Sequence, residues 1–103
     1  MQSPPVGIVF DMRKIYTFVD LPNDAGRLVV FEWGAGSKPD ENLVCFEPDG
    51  RVRWKAKPPT SDAGDCFVGV ALEGDLIRAE SMSCYAVWLD PRTGKTVRIF
   101  IIR

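Results

Sequence analysis

The residues most able to do chemistry in this chain are three cysteines and fourteen acidic side chains, because the sequence contains no histidine. Without histidine the chain lacks the usual general base, the common nucleophile pairs and the imidazole ligands of metals. Cys45, Cys66 and Cys84 are widely spaced and include no Cys-x-x-Cys pair, which cysteine-only zinc sites typically contain. We therefore expect buried free thiols, no metal site and no cofactor.

The acidic residues suggest one further kind of chemistry. Glu73, Asp75 and Glu80 form one group along the chain, and Asp62 and Asp65 form another. Paired carboxylates can serve a glycosidase, and several together can bind calcium. No spacing here demands either use, and carboxylates in turns mostly shape the turn itself. No catalytic residue is therefore predicted and we expect a protein that is not an enzyme, with catalysis by carboxylates alone as a third hypothesis.

Length and charge limit the function classes. The 103 residues, of which 46% are hydrophobic, predict a single all-β domain over 1–103. Thirteen basic and fourteen acidic residues give a net charge of −1, which favours neither nucleic acid nor an anionic membrane as a partner. The first residues have neither the charged start of a signal peptide nor the length of a membrane span, so we expect a cytoplasmic protein.

The elements that must position any site are strands. Alternating apolar and polar residues, many of them β-branched or aromatic, recur between Gly, Pro, Asn and Asp, whereas no window shows helical spacing. The predicted strands are 6–10, 14–20, 27–33, 42–47, 51–56, 66–72, 76–80, 85–89 and 96–102. Turns that should close hairpins lie at 22–26, 48–50, 73–75 and 90–95, with Gly94 at a left-handed position. The longer segments 34–41 and 57–65 are predicted to connect sheets or to form surface loops.

Two hairpin sequences are similar to each other. The strings LVCFEPDGRVRW and AVWLDPRTGKTVRI each place an acidic residue and a glycine-containing turn between two strands, 43 to 45 residues apart. They resemble the outer hairpins of quinoprotein-like (PQQ-type) β-propeller repeats, as in small uncharacterised bacterial proteins with an isolated pair of such units. The resemblance implies two blade-like sheets and no activity, because two units cannot close the ring that holds the cofactor.

The C-terminal strand carries an unusual pattern. Residues 99–102 are apolar on both faces, so an edge strand facing water would be prone to aggregate. We expect this strand to be covered by the N-terminal strands or by another chain. Open edges of this kind also favour a homodimer.

These patterns predict an all-β antiparallel meander of about eight or nine strands, arranged as two blade-like sheets packed as a sandwich or small open barrel. The main functional hypothesis is a non-enzymatic protein-protein interaction module, with an immunity or toxin-neutralising role as one example. It would bind through an exposed sheet edge or the rim of the loops. The candidate binding residues are Trp33, Tyr85, Trp88 and Arg78, together with the loop 34–41, and the two tryptophans should be partly exposed. The alternative is a small-ligand or carbohydrate-binding domain whose pocket lies between the sheets, with Arg78 and Glu80 among its lining residues.

Overall fold

The computed structural model describes residues 14–33 and 39–102, which form two four-stranded antiparallel sheets. The first sheet contains β1 (Ile15–Asp20), β2 (Arg27–Phe31), β3 (Leu43–Phe46) and β4 (Val52–Ala56). The second contains β5 (Phe67–Glu73), β6 (Leu76–Ser81), β7 (Tyr85–Leu89) and β8 (Thr96–Ile101). Strands follow one another in chain order in both sheets, and within the described residues neither sheet closes into a barrel. The predicted all-β, two-sheet antiparallel fold is confirmed, while the candidate strand at 6–10 lies outside the described residues.

The predicted turns close the predicted hairpins. A single 3-10 turn, Pro22–Asp24, lies between β1 and β2, and short turns connect β3 to β4, β5 to β6 and β7 to β8. Gly94 has a φ of 74°, the left-handed conformation expected at the end of its turn. The segment 57–65 leads from the first sheet to the second, as predicted.

The same hairpin occupies the same place in both sheets. Cys45 on β3 pairs with Trp54 on β4, and Trp88 on β7 pairs with Arg98 on β8. Both ladders shift register once, immediately beside these pairs on the side nearer the turn. Trp54 and Arg98 are therefore equivalent positions in the two sheets.

The two sheets pack through opposite faces. The first sheet packs with the face that carries Trp54, and the second packs with the face opposite to the one that carries the equivalent residue, Arg98. The core joins Leu28, Cys45 and Trp54 of the first sheet to Ile77 and Val87 of the second, all of them buried. In the second sheet, the positions equivalent to these first-sheet residues lie on the face that points away from the core, because side chains alternate along a strand.

One buried amide ties the two sheets together. Asn42, which is 1% exposed, donates from Nδ2 to the carbonyl oxygens of Phe31 and Phe67, each at 2.8 Å. Its Oδ1 accepts the N–H of Phe67 at 2.8 Å. Asn42 therefore provides hydrogen-bond partners for buried backbone groups of Phe31 and Phe67, which water cannot reach. Phe67 is the residue at which the chain enters the second sheet.

The first sheet is buried on both faces, unlike the second. Its face away from the second sheet contains Val29, Phe31, Val44 and Phe46, with Phe18 packed against them. None of the helical segments in the described residues is long and apolar enough to cross a membrane.

Candidate functional site

Strand β8 is exposed on both of its faces. All six of its residues are exposed, including Val97 at 59%, Ile99 at 46%, Phe100 at 56% and Ile101 at 54%. β8 is the last strand of its sheet, and no described residue pairs with its outer edge. An edge strand with unpaired backbone groups and apolar side chains is a template for strand addition.

The backbone of β8 presents hydrogen-bonding groups along that outer edge. Ile102 donates its N–H to the carbonyl oxygen of Cys84 at 2.7 Å, so its backbone groups point towards β7. Since successive residues of an antiparallel strand point their N–H and C=O to alternate sides, those of Ile101 and Ile99 point away from β7. These two isoleucines therefore carry both the apolar side chains and the unpaired backbone groups of the edge.

Beside β8, the outer face of the second sheet carries an aromatic residue between two cations. The guanidinium carbon of Arg98 lies 5.0 Å from the ring centre of Trp88, and that of Arg78 lies 5.7 Å from it. The ring of Phe100 meets the Trp88 ring edge-on, with centres 5.8 Å apart. Trp88 also donates its Nε1–H to Glu73 Oε1 at 3.2 Å. We call Arg78, Trp88 and strand β8 together the β8 surface.

The two arginines of this surface differ in their ion pairing. Arg78 pairs with Glu80 through Nη2 and Oε2 at 3.1 Å. Among the described residues, no carboxylate lies within ion-pair distance of Arg98, whose guanidinium lies over the Trp88 ring. In the described part of the chain, the β8 surface therefore combines an apolar edge with a cation, Arg98, that has no acidic partner there.

The structure brings two of the four predicted binding residues together. Arg78 and Trp88 are cross-strand neighbours on the outer face of the second sheet. Tyr85 pairs with Ile101, on the opposite face of that sheet. Trp33 lies in the first sheet region, its ring 5.1 Å from that of Tyr16, far along the chain from the other three. Both Trp33 and Trp88 are partly exposed, as predicted.

The prediction that Arg78 and Glu80 line a pocket between the sheets is wrong. Ile77 and Ala79 point into the core and are fully buried. Arg78 and Glu80 alternate with them and therefore face away from the first sheet. The strand alternation around 76–80 was visible in the sequence, but the side that faces the core was decided by sheet stacking.

The sequence pattern does not reveal Arg98 and Phe100 as neighbours of Trp88. Their contact depends on the register of β7 against β8, which pairs Trp88 with Arg98 and Ala86 with Phe100. The relevant signal was the apolar C-terminal strand, which predicted that this strand is covered by the N-terminal strands or by another chain.

Two of the three cysteines are buried and one is exposed. Burial raises the pKa of Cys45 to about 11, and burial likewise raises that of Cys66 to about 11. Both thiols are therefore protonated and poorly nucleophilic at neutral pH. The expectation that all three are buried is wrong for Cys84, which is exposed with a φ of 69° in the turn before β7.

The acidic groups serve structure in the described part of the chain. Asp65 is 3% exposed, and its carboxylate accepts hydrogen bonds from Thr60 Oγ1 at 2.7 Å, Cys66 N at 3.0 Å and Ser83 Oγ at 3.0 Å. It therefore ties the segment between the sheets to the turn before β7. Across residues 14–33 and 39–102, no three Cys, Asp or Glu side chains are grouped so that they could hold a metal ion.

Comparison with known proteins places the chain in one family. The family described as domain of unknown function DUF7957 matches residues 11–100, so the chain belongs to that family. Comparison with curated proteins and with solved structures gives no match. The resemblance to propeller repeats and the cytoplasmic location stay predictions.

Proposed function

We propose that this member of the DUF7957 family is a non-enzymatic protein-binding module that binds an extended polypeptide segment along the outer edge of β8. The observation that carries the proposal is a six-residue edge strand with every residue exposed, four of them large and apolar. An added strand would pair with the outward backbone groups of Ile99 and Ile101, while side-chain contacts beside the edge would give specificity. An immunity or toxin-neutralising role is one use that such an edge would serve.

The neighbouring side chains support binding to a polypeptide. Trp88 and Phe100 form an aromatic pair beside the edge, and the guanidinium of Arg98 lies over the Trp88 ring. Trp, Tyr and Arg are the residue types that contribute most to protein interfaces, because each combines a large apolar area with a polar group. Between the two sheets, the side chains of Leu28, Val87 and Leu89 are almost completely buried. This close packing favours binding at the surface over binding in an internal ligand pocket.

The two buried thiols, Cys45 and Cys66, and the buried Asp65 carboxylate are unsuited to nucleophilic or acid–base catalysis. The buried thiols have raised pKa values, and the Asp65 carboxylate is occupied by hydrogen bonds. These features support a binding role in preference to catalysis by cysteine or by that carboxylate.

The test compares two substitutions that place the same charge on two edge strands. Ile99→Lys changes β8, and Val52→Lys changes an equally exposed β-branched residue of β4, at 46% and 42% exposed respectively. The tagged full chain, wild-type or variant, is purified from its native host, and the polypeptide bound per chain, whether a second copy or another protein, is quantified by native mass spectrometry.

We expect stoichiometric binding by the wild type and by Val52→Lys, and its loss in Ile99→Lys. Trp88→Ala should weaken the same binding, whereas Trp33→Ala, on the other sheet, should not. A wild-type chain that binds no polypeptide, or an Ile99→Lys chain that binds as well as the wild type, would refute the proposed function. Circular dichroism confirms that each variant is folded.

A further inference from the structure

We infer that the polypeptide bound along β8 is a second copy of this chain, joined edge to edge so that the β8 strands of the two copies run antiparallel about a two-fold axis at Ile99. This inference rests on the proposed function, since it names the partner of the same edge. Joined in this way, the two second sheets form one continuous eight-stranded sheet.

Side-chain alternation limits the registers that such a dimer can adopt. A two-fold axis perpendicular to the joined sheet keeps each outer face outside, so a residue must lie opposite one of the same face. The axis must therefore pass through a residue, which leaves Arg98, Ile99 and Phe100 as the central choices on the regular part of β8.

Charge selects among these three registers. An axis at Arg98 would place two guanidinium groups directly opposite each other, which destabilises a strand pair. An axis at Phe100 would place the Arg98 guanidinium opposite the apolar side chain of Ile102, which offers the cation no attractive partner. With the axis at Ile99, Arg98 lies opposite Phe100 of the second copy, so that a cation meets an aromatic ring twice per dimer.

The backbone also fits the axis at Ile99. The N–H and C=O of Ile99 point to the outer edge, so each copy would donate its Ile99 N–H to the Ile99 carbonyl of the other. Ile101 presents the same outward groups and would lie opposite Val97 of the second copy, with apolar side chains on both sides. In this register Ile99, Ile101 and Val97 meet apolar partners, and the Phe100 ring meets the Arg98 guanidinium of the second copy.

Net charge and area define how strong the dimer should be. A net charge of −1 per chain produces little repulsion between two copies. The half-exposed apolar side chains of β8 offer on the order of 400 Å² per chain, about half of the ~800 Å² that each partner buries in a stable interface. The dimer should therefore be reversible and dissociate on dilution.

Sedimentation equilibrium of the purified full chain over a wide concentration range tests the association. We expect a monomer–dimer equilibrium for the wild type and for Val52→Lys. Ile99→Lys should raise the dimer dissociation constant by at least about tenfold, because it places two ammonium groups opposite each other. The Ile99→Lys variant need only remain folded, which its monomer mass and circular dichroism establish.

Disulfide trapping tests the register. In a Cys84→Ser background, which removes the exposed thiol, Ile99→Cys should form a covalent dimer on mild oxidation, because directly opposed residues lie about 5.5 Å apart at Cα. Ile101→Cys, exposed to a similar degree, lies opposite Val97 and should stay monomeric under the same conditions.

Each result has a distinct meaning for the two proposals. A purified chain that stays monomeric at every concentration overturns the self-pairing inference, and the proposed function survives if Ile99→Lys still loses a different bound polypeptide. A dimer that Ile99→Lys leaves unchanged shows another interface and overturns the inference. Efficient trapping through Ile101→Cys instead of Ile99→Cys overturns the register.

Discussion

Strands β4 and β8 occupy the same position in their two sheets, each following an equivalent hairpin as the last strand. On β4 the side chains alternate between buried and exposed, with Trp54 and Ala56 in the core and Lys55 outside. On β8 all six residues are exposed, although most are as apolar as a core strand. In β4 the apolar side chains of Trp54 and Ala56 are buried, whereas in the equivalent strand β8 the apolar side chains are exposed.

For the outer face of β8, which carries Arg98 and Phe100, the difference follows from the direction in which the sheets stack, whereas Ile99 lies on the other face and is exposed as well. Trp54 faces the second sheet, and its Nε1–H donates to the Pro91 carbonyl oxygen at 2.9 Å. The equivalent face of the second sheet has no further described sheet against it, and there Arg98 and Trp88 occupy the positions that Trp54 and Cys45 hold in the first. A repeated hairpin is therefore not a repeated environment, and the exposed apolar residues of β8 are the basis of our proposal that this strand binds another chain.

The largest expected effect compares the two equivalent positions directly. Trp54→Ala removes a buried ring and should lower the free energy of unfolding by about 3–5 kcal/mol. Arg98→Ala removes an exposed cation and should cost less than about 1 kcal/mol in the monomer. Urea denaturation at low protein concentration measures both. Similar losses for the two variants would show that the positions are not as different as their burial indicates.

A smaller effect is expected in the turn where the two hairpins meet. A Cβ at Gly94 would lie 2.5 Å from Cδ2 of Trp54, whereas one at Gly74 would meet no atom within 4 Å. Both glycines have positive φ, so Gly74→Ala should cost about 1–2 kcal/mol from backbone strain alone. Gly94→Ala should cost about 1–3 kcal/mol more, because it also displaces the Trp54 ring.

Thermal and urea unfolding of the two glycine variants measure the difference. Equal destabilisation would show that the Trp54 ring moves aside without cost, and that the contact between the β4 and β8 hairpins is loose.

The smallest effect concerns an ion pair that only the β4 hairpin has. Arg53 donates to Glu47 at 2.7 Å and 3.0 Å, and this hydrogen bonding lowers the pKa of Glu47 below its ordinary value. A lowered pKa means that the ionised carboxylate favours the folded state. The stabilisation is therefore present above pH 4.5 and is lost as the pH falls through the lowered pKa.

Glu47→Gln should accordingly be less stable than the wild type at pH 7 and equally stable at strongly acidic pH. Urea midpoints across this pH range measure the difference, and an Arg53→Gln background provides the control, since the pair is already broken there. A gap between wild type and Glu47→Gln that stays constant with pH would rule out the ion pair as its cause.

The strands and turns were predictable because their signals are local. The prediction for 85–89 matches β7, and the other predictions that fall within the described residues differ from the observed strands by one or two residues at their ends. The turn ending at Gly94 was predictable because only glycine adopts its left-handed conformation without strain.

The candidate site was predictable only in part. Trp88 was expected to be partly exposed, and the apolar β8 was expected to be covered by the N-terminal strands or by another chain. Arg98 was not recognised, because its contact with Trp88 depends on strand register. Cys84 was expected to be a buried thiol, but it lies with a positive φ in an exposed turn, which no neighbouring Gly or Pro signals.

Local sequence signals are enough to establish that this chain forms short antiparallel strands joined by tight turns, because alternation and turn residues act over a few positions. Which face of each strand is buried depends instead on the packing of the two sheets, because two similar hairpins acquire different surroundings once the sheets pack through opposite faces. That packing buries Trp54 in the core and leaves Arg98 and Trp88 on the outer face, while the apolar residues of β8 are exposed.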